Sequence, residues 1–236
     1  MVFTVRRVTT TRAGGVSKPP FASFNLGDHV GDDPEAVAAN RRRLAATLGL
    51  EGGIVWMNQV HSANVAVVDR GEETLDATDG LVTTTPGLAL AVVTADCVPV
   101  LMADARSGVV AAVHAGRVGA AAGIVARTLK VMTDAGAHVE DVSVLLGPAV
   151  SGRNYEVPEA MAAEVERALP GSRTNTSRGT PGLDLRAGLV TQLHSLGVRS
   201  VDVDPRCTVD DPNLFSHRRD APTGRMASVI WLEPTS

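Results

Sequence analysis

A chain of 236 residues, 44% of them hydrophobic, carries enough apolar material for a substantial core and reads as a single domain over 1–236. Its net charge of −4 gives no general attraction to nucleic acid, and no apolar run reaches the roughly 18 residues of a membrane span, so neither partner is expected. The start, Met1-Val-Phe-Thr-Val-Arg-Arg7, lacks the basic end and long apolar stretch of a signal peptide, which points to the cytoplasm, where Cys97 and Cys207 each need a reason other than a disulfide.

In chain order, a first strand is expected around Phe3 to Val8, followed from Thr9 to Gly31 by a Gly-, Pro-, Ser- and Asn-rich stretch that reads as a long ordered loop. Asp33 and Pro34 form an N-cap and first-turn pair for a helix whose apolar side is Val37, Leu44 and Leu48 and whose stop is Gly49. The consecutive Arg41, Arg42 and Arg43 cannot share one face of it. Strands are predicted near 54–57, 64–68, 80–84, 88–94, 98–103 and 109–114, several of them continuous β-branched apolar runs of the buried kind. Gly116-Arg-Val-Gly119 then opens a helix reaching about Ala135, with a strand at Val142 to Leu146 and a helix near Pro158 to Leu169. Asp184 caps a helix with Leu185, Leu189, Leu193 and Leu196 on one side and Gly197 at its end, and strands near Val198 to Val203 and Ala227 to Leu232 finish the chain. Strands and helices do not alternate strictly, so the fold class is mixed α/β with mixed sheets.

Chemistry concentrates at strand ends. Thr94-Ala95-Asp96-Cys97 closes one apolar run, His114-Ala115-Gly116 closes another, and Gln59-Val60-His61 follows a third. His61, Cys97 and His114 have the number and type of ligands of a catalytic zinc site, although their spacing is unlike that of a zinc finger. Without a metal, Cys97 and His114 form a nucleophile and base pair, and the same residues also fit a buried thiol beside two hydrogen-bonded histidines. Asp79 and Asp96 are candidates to orient a histidine or carry a proton, against the plainer role of turn formers. The glycine turn after His114 offers free backbone N–H groups to an anion, and Arg218 and Arg219, in the dense polar stretch Cys207 to Asp220, offer forked cations.

Taken in order, Thr11-Arg12-Ala-Gly-Gly-Val-Ser17, Ser23-Phe-Asn-Leu-Gly27, His29-Val-Gly-Asp-Asp33, Asn40-Arg41, Gln59-Val-His61, Thr94-Ala-Asp-Cys97, His114-Ala-Gly116 and Phe215-Ser-His-Arg-Arg-Asp220 resemble the landmarks of the multicopper polyphenol oxidase (laccase) domain family. That family is also described as purine nucleoside phosphorylase-like and as peptidoglycan editing factor. The resemblance runs from about Thr4 to Leu232. It implies a single α/β/β/α layered domain with zinc, in preference to copper, on His61, Cys97 and His114, and chemistry at Cys97, His114 and Asp79. It implies phosphorolysis of adenosine, inosine, guanosine or methylthioadenosine, with adenosine deamination as a second activity. The alternatives it leaves open are an amidase that removes serine from a muramyl peptidoglycan precursor and a Cys–His hydrolase, with a copper oxidase or a structural zinc module behind them. Arg12, Asn25, Arg41, Arg117 and Arg218 are the substrate contacts it suggests, in a monomer or small homo-oligomer. One departure stands out: where the family reads His-Ala-Gly-Trp-Arg-Gly, this chain has His114-Ala-Gly-Arg117-Val118-Gly119, so an aromatic side chain is exchanged for a cation.

Overall fold

In the computed structural model, which describes residues 3–50, 53–71 and 75–233, the chain opens with β1 (Val5–Thr9) and then runs without regular structure to α1 (Pro34–Leu48). The side chain of Asp33 accepts from Glu35 N at 3.0 Å to cap α1, and Gly49, at φ 64°, ends it in the left-handed region as the sequence predicts. Six strands follow: β2 (Ile54–Trp56), β3 (Val65–Val67), β4 (Gly80–Thr83), β5 (Ala89–Thr94), β6 (Val98–Asp104) and β7 (Val109–Ala115). The single helix predicted to reach Ala135 is two, α2 (Arg117–Ala121) and α3 (Ile124–Asp134), because Gly123 adopts φ 81° and breaks the run. Then come β8 (Ser143–Leu146), α4 (Glu159–Ala168), β9 (Arg173–Asn175), β10 (Pro181–Leu183), α5 (Leu185–Ser195), β11 (Ser200–Val203), α6 (His217–Asp220) and β12 (Met226–Leu232). The β9–β10 pair and the one-turn α6 are additions to the predicted elements.

Two sheets carry the fold. One has the order β1-β12-β5-β2 and the other β11-β8-β6-β7-β4-β3, each mixing parallel and antiparallel neighbours. The alternation of side chains explains why the central strands are apolar throughout. In β5, Leu90 and Val92 meet Leu101, Val110 and Ala112 of the other sheet, while Ala89, Ala91 and Val93 pack with Leu44 of α1. On the far side, Val100, Met102, Ala111 and Val113 pack against Ile124, Leu129 and Met132 of α3 and Leu189 of α5. The layers are thus α1, sheet, sheet, and the remaining long helices: the α/β/β/α arrangement.

The stretch between β1 and α1 is irregular but anchored, because Asn40 of α1 is fully buried and satisfies it. Its Oδ1 accepts from Val16 N (3.0 Å), and its Nδ2 donates to Ser17 Oγ (3.0 Å) and to the carbonyls of Ser23 (3.2 Å) and Asn25 (2.9 Å). An Asn40→Ala variant strands these groups, which costs about 2–3 kcal/mol, and at this chain length its melting temperature falls by roughly 5–10 °C. An unchanged thermal transition would show that the segment is held by other contacts.

Candidate metal centre and its cavity

The site lies at one end of the gap between the sheets. His114 occupies the end of β7 on the alternating face that includes Val110 and Ala112, so it points into the inter-sheet layer as that layer runs out. Cys97 sits where the chain leaves β5 of one sheet for β6 of the other, in a tight turn with Asp96 at φ 94°, a region L-residues seldom occupy. The turn is held from outside. Asp96 Oδ1 accepts from Thr208 Oγ1 (2.6 Å) and Ser216 Oγ (2.7 Å), and its Oδ2 accepts from Arg218 N (2.7 Å). His61 also has positive φ, at 60°, in the loop after β2.

Asp79 joins His61 to His114. Fully buried, it accepts from the backbone N–H groups of Val60 (3.2 Å), His61 (3.0 Å) and Ser62 (2.7 Å), from Ser62 Oγ (2.7 Å) and from His114 Nδ1 (2.8 Å). Burial alone would raise its pKa, but the bonds from His114 and Ser62 prevail and hold it at about 2. A carboxylate at that position requires the proton on His114 Nδ1 and leaves Nε2 as the ligand atom. For His114 burial disfavours charge, yet Asp79 and Cys97 raise its pKa to about 9, so a metal ion arriving at neutral pH displaces a proton. The His61 pKa is lowered, by burial first and then by the charge of His114.

The donor atoms of His61, Cys97 and His114 lie within 4.8 Å of one another, and the two imidazole rings meet edge to face with centroids 4.7 Å apart. Gly116 makes that convergence possible. A Cβ there would stand 2.5 Å from His61 Nδ1 and 3.2 Å from Cys97 Sγ, so the glycine is required for space even though its φ of −75° suits any residue. Two imidazoles and a thiolate, with one imidazole backed by a carboxylate, fit a zinc ion with a free coordination position.

The three donors open into a cavity of about 760 Å³. Of the substrate contacts suggested by the sequence, Arg117 and Arg218 line it. Asp79 is not among the lining residues; it stands behind His114, bonded to the Nδ1 of that ring. Arg12, Asn25 and Arg41 are not among the lining residues, because each is engaged in the wall. Arg12 lies over Phe215 (5.0 Å) and 3.7 Å from Asp220; Arg41 lies over Trp56 (4.1 Å) and donates to Leu26 O (3.0 Å). Asn25, fully buried, accepts from Gly27 N (3.0 Å) and Arg225 N (2.8 Å). The cavity also brings in His29, Tyr155 and Arg225, for which the sequence reading had no role. His29 stood within a quoted landmark and was legible to that extent; Tyr155 and Arg225 lie in segments with no pattern of their own.

A family model described as multi-copper polyphenol oxidoreductase laccase matches residues 6–233. A purine nucleoside phosphorylase of Mycobacterium bovis is 73% identical over 231 residues, covering 97% of this chain and 92% of the relative, and one of Corynebacterium glutamicum is 59% identical over 232 residues, covering 97% and 94%. Among solved structures, YlmD from Geobacillus stearothermophilus superposes with a TM-score of 0.89 at 38% identity, covering 98% of this chain and 92% of that one. The Neisseria meningitidis protein NMB0706 gives 0.87 at 35% identity, covering 99% of both chains.

Two substitutions test the centre. Gly116→Ala is expected to fold, by circular dichroism, and elemental analysis is expected to find bound metal in the parent protein and none in the variant. Asp79→Asn places an amide N–H₂ among backbone donors and frees the His114 ring, so metal affinity falls about 10–100-fold in a competition titration; parental affinity in that variant would remove Asp79 from the centre.

Proposed function

The chain belongs to the multi-copper polyphenol oxidoreductase laccase family, and from that membership and the make-up of its cavity we propose that it is a zinc-dependent purine nucleoside phosphorylase. The observation that carries this reading is the meeting of three arginines, Arg117, Arg218 and Arg225, with the His–Cys–His centre in one cavity. Phosphorolysis requires an anion held beside a polar centre, and guanidinium groups hold phosphate oxygens in a forked geometry.

Each arginine is aimed by the fold. Arg218 has its backbone N–H on Asp96 (2.7 Å), its Nη1 on Glu156 O (3.1 Å) and its guanidinium 4.9 Å over the ring of Tyr155. Arg117 lines the same cavity as Tyr155, whose pKa is raised, with burial the largest cause and the charge of Arg117 opposing it. Arg225 donates through Nη1 to the carbonyls of Thr223 (3.0 Å) and Gly224 (3.2 Å). Tyr155 therefore keeps Arg218 in place and adds a flat apolar surface, while Val93, Ala95, Val150 and Leu185 complete the apolar lining on which a purine can rest. The exchange of the family's Trp-Arg for Arg117-Val118 keeps a cation on the cavity. Zinc on His61, Cys97 and His114 would supply Lewis-acid polarisation of a bound oxygen or nitrogen.

Adenosine deamination belongs to the same proposal as a second activity of this cavity, with nucleoside and phosphate as the partners of a monomer or small homo-oligomer. Zinc is preferred to copper because, among the described residues, one group of three ligands converges, short of the many histidines a multicopper oxidase uses. No helix among the described residues is long and apolar enough to cross a membrane, and both cysteines are free thiols, in keeping with a cytoplasmic enzyme.

Purified protein incubated with inosine is expected to release hypoxanthine and ribose phosphate when inorganic phosphate is present, and neither when it is left out. Release of base that ignores phosphate, or release of serine from a muramyl precursor with no action on nucleosides, would overturn the reading. Arg218→Ala should raise the KM for phosphate about tenfold, through loss of a charge-assisted hydrogen bond of about 1.5 kcal/mol.

A further inference from the structure

When the bond from ribose to purine breaks, its electron pair departs with the base, and an acid within reach of that base speeds the step. The acidic and imidazole groups on the cavity are mostly committed. Asp96 spends its carboxylate on Thr208, Ser216 and Arg218 N; burial pushes the Tyr155 phenol above its ordinary pKa, which makes it a poorer proton donor than an imidazolium; His61 and His114 belong to the metal centre. Two imidazoles remain, His29 and His217, and of these His29 has a carboxylate partner among the described residues: Asp28 Oδ1 stands 3.5 Å from its Nδ1.

That partner is itself fixed. Asp28 Oδ2 lies 3.2 Å from Arg41 Nη2, and Arg41 is pinned by its stacking 4.1 Å over Trp56 and by its Nε bond to Leu26 O at 3.0 Å. The contact with His29 is the largest cause of a carboxyl pKa lowered to about 2, so Asp28 is a carboxylate at neutral pH. With Nδ1 turned toward Asp28, Nε2 is the nitrogen available to the cavity, and a side chain that is 49% exposed can regain a proton from solvent.

We propose that His29, oriented by Asp28 and Arg41, is the catalytic acid that protonates the departing purine; this rests on the phosphorolysis reading. In the step, a phosphate oxygen forms its bond to the anomeric carbon of the ribose, the carbon–nitrogen bond breaks, and the purine nitrogen takes the proton of the His29 imidazolium together with the released electron pair. The neutral imidazole regains a proton from water, replacing the one dihydrogen phosphate gave up on becoming the ester. Arg41, suggested by the sequence as a substrate contact, is on this account a positioning residue two contacts away.

The test compares two leaving groups in the zinc-loaded protein: inosine, whose base needs a proton, and a nitrophenyl riboside, whose phenolate leaves without one. His29→Gln is expected to lower kcat on inosine about 100- to 1000-fold, while leaving the nitrophenyl riboside within about threefold of the parent and the KM for phosphate unchanged. Asp28→Asn should give the same selectivity with a smaller loss, about tenfold on inosine. Equal loss on both substrates, or full activity on inosine, would overturn the assignment while phosphate-dependent cleavage by the parent stands. A parent protein that cleaves no nucleoside would instead overturn the phosphorolysis reading and the assignment with it.

Discussion

The buried carboxylate of Asp79 is the constraint on which the site depends. It gathers five donors from β7 and from the loop carrying His61, in a place with no access to solvent. A charge there is stable because each neighbouring dipole and imidazole N–H points at it, and any one of them left alone would carry a desolvation cost. The same set of bonds settles a backbone with positive φ at His61, the tautomer of His114 and the spacing of both rings. Geometry that a metal would otherwise have to impose is therefore present in the fold beforehand.

A second tier of polar side chains builds the walls in the same manner. Asn40 and Asn25 hold the segment before α1, and Asp96 fastens the β5–β6 turn to the stretch that carries Arg218. Each of these side chains substitutes for the ladder of hydrogen bonds that irregular backbone lacks. Loops fixed by buried amides and carboxylates can present cations and imidazoles in set positions, which is what a cavity assembled from several distant segments needs.

Most of the sheet architecture was legible because both faces of the central strands are covered, so β5, β6 and β7 read as unbroken apolar runs. α1 was legible from Asp33, Pro34 and Gly49, whose roles are local. The break at Gly123 was not, since a glycine within a helical stretch reads the same whether it is tolerated or adopts positive φ. β9 and β10 have three residues each and little apolar alternation, leaving nothing for a periodicity to show. At the site, the metal ligands announced themselves as reactive residues at strand ends. Arg12, Asn25 and Arg41 have the chemistry of substrate contacts, but the groups they engage, Phe215 and Asp220, Arg225 and Trp56, lie elsewhere in the sequence, and only the folded chain brings them together.

The crossing at Asp96-Cys97 gives the metal centre a mechanical meaning. The thiol stands on the strand-to-strand passage from one sheet to the other, His114 belongs to the second sheet, and His61 comes from the loop that leaves the first. An ion held by all three would be a clasp across that end of the sandwich, bound more tightly by the chain whose layers are closed than by one whose layers have parted. The closed state would then gain free energy with the logarithm of the metal concentration over its dissociation constant, so heat tolerance and metal supply would become one variable.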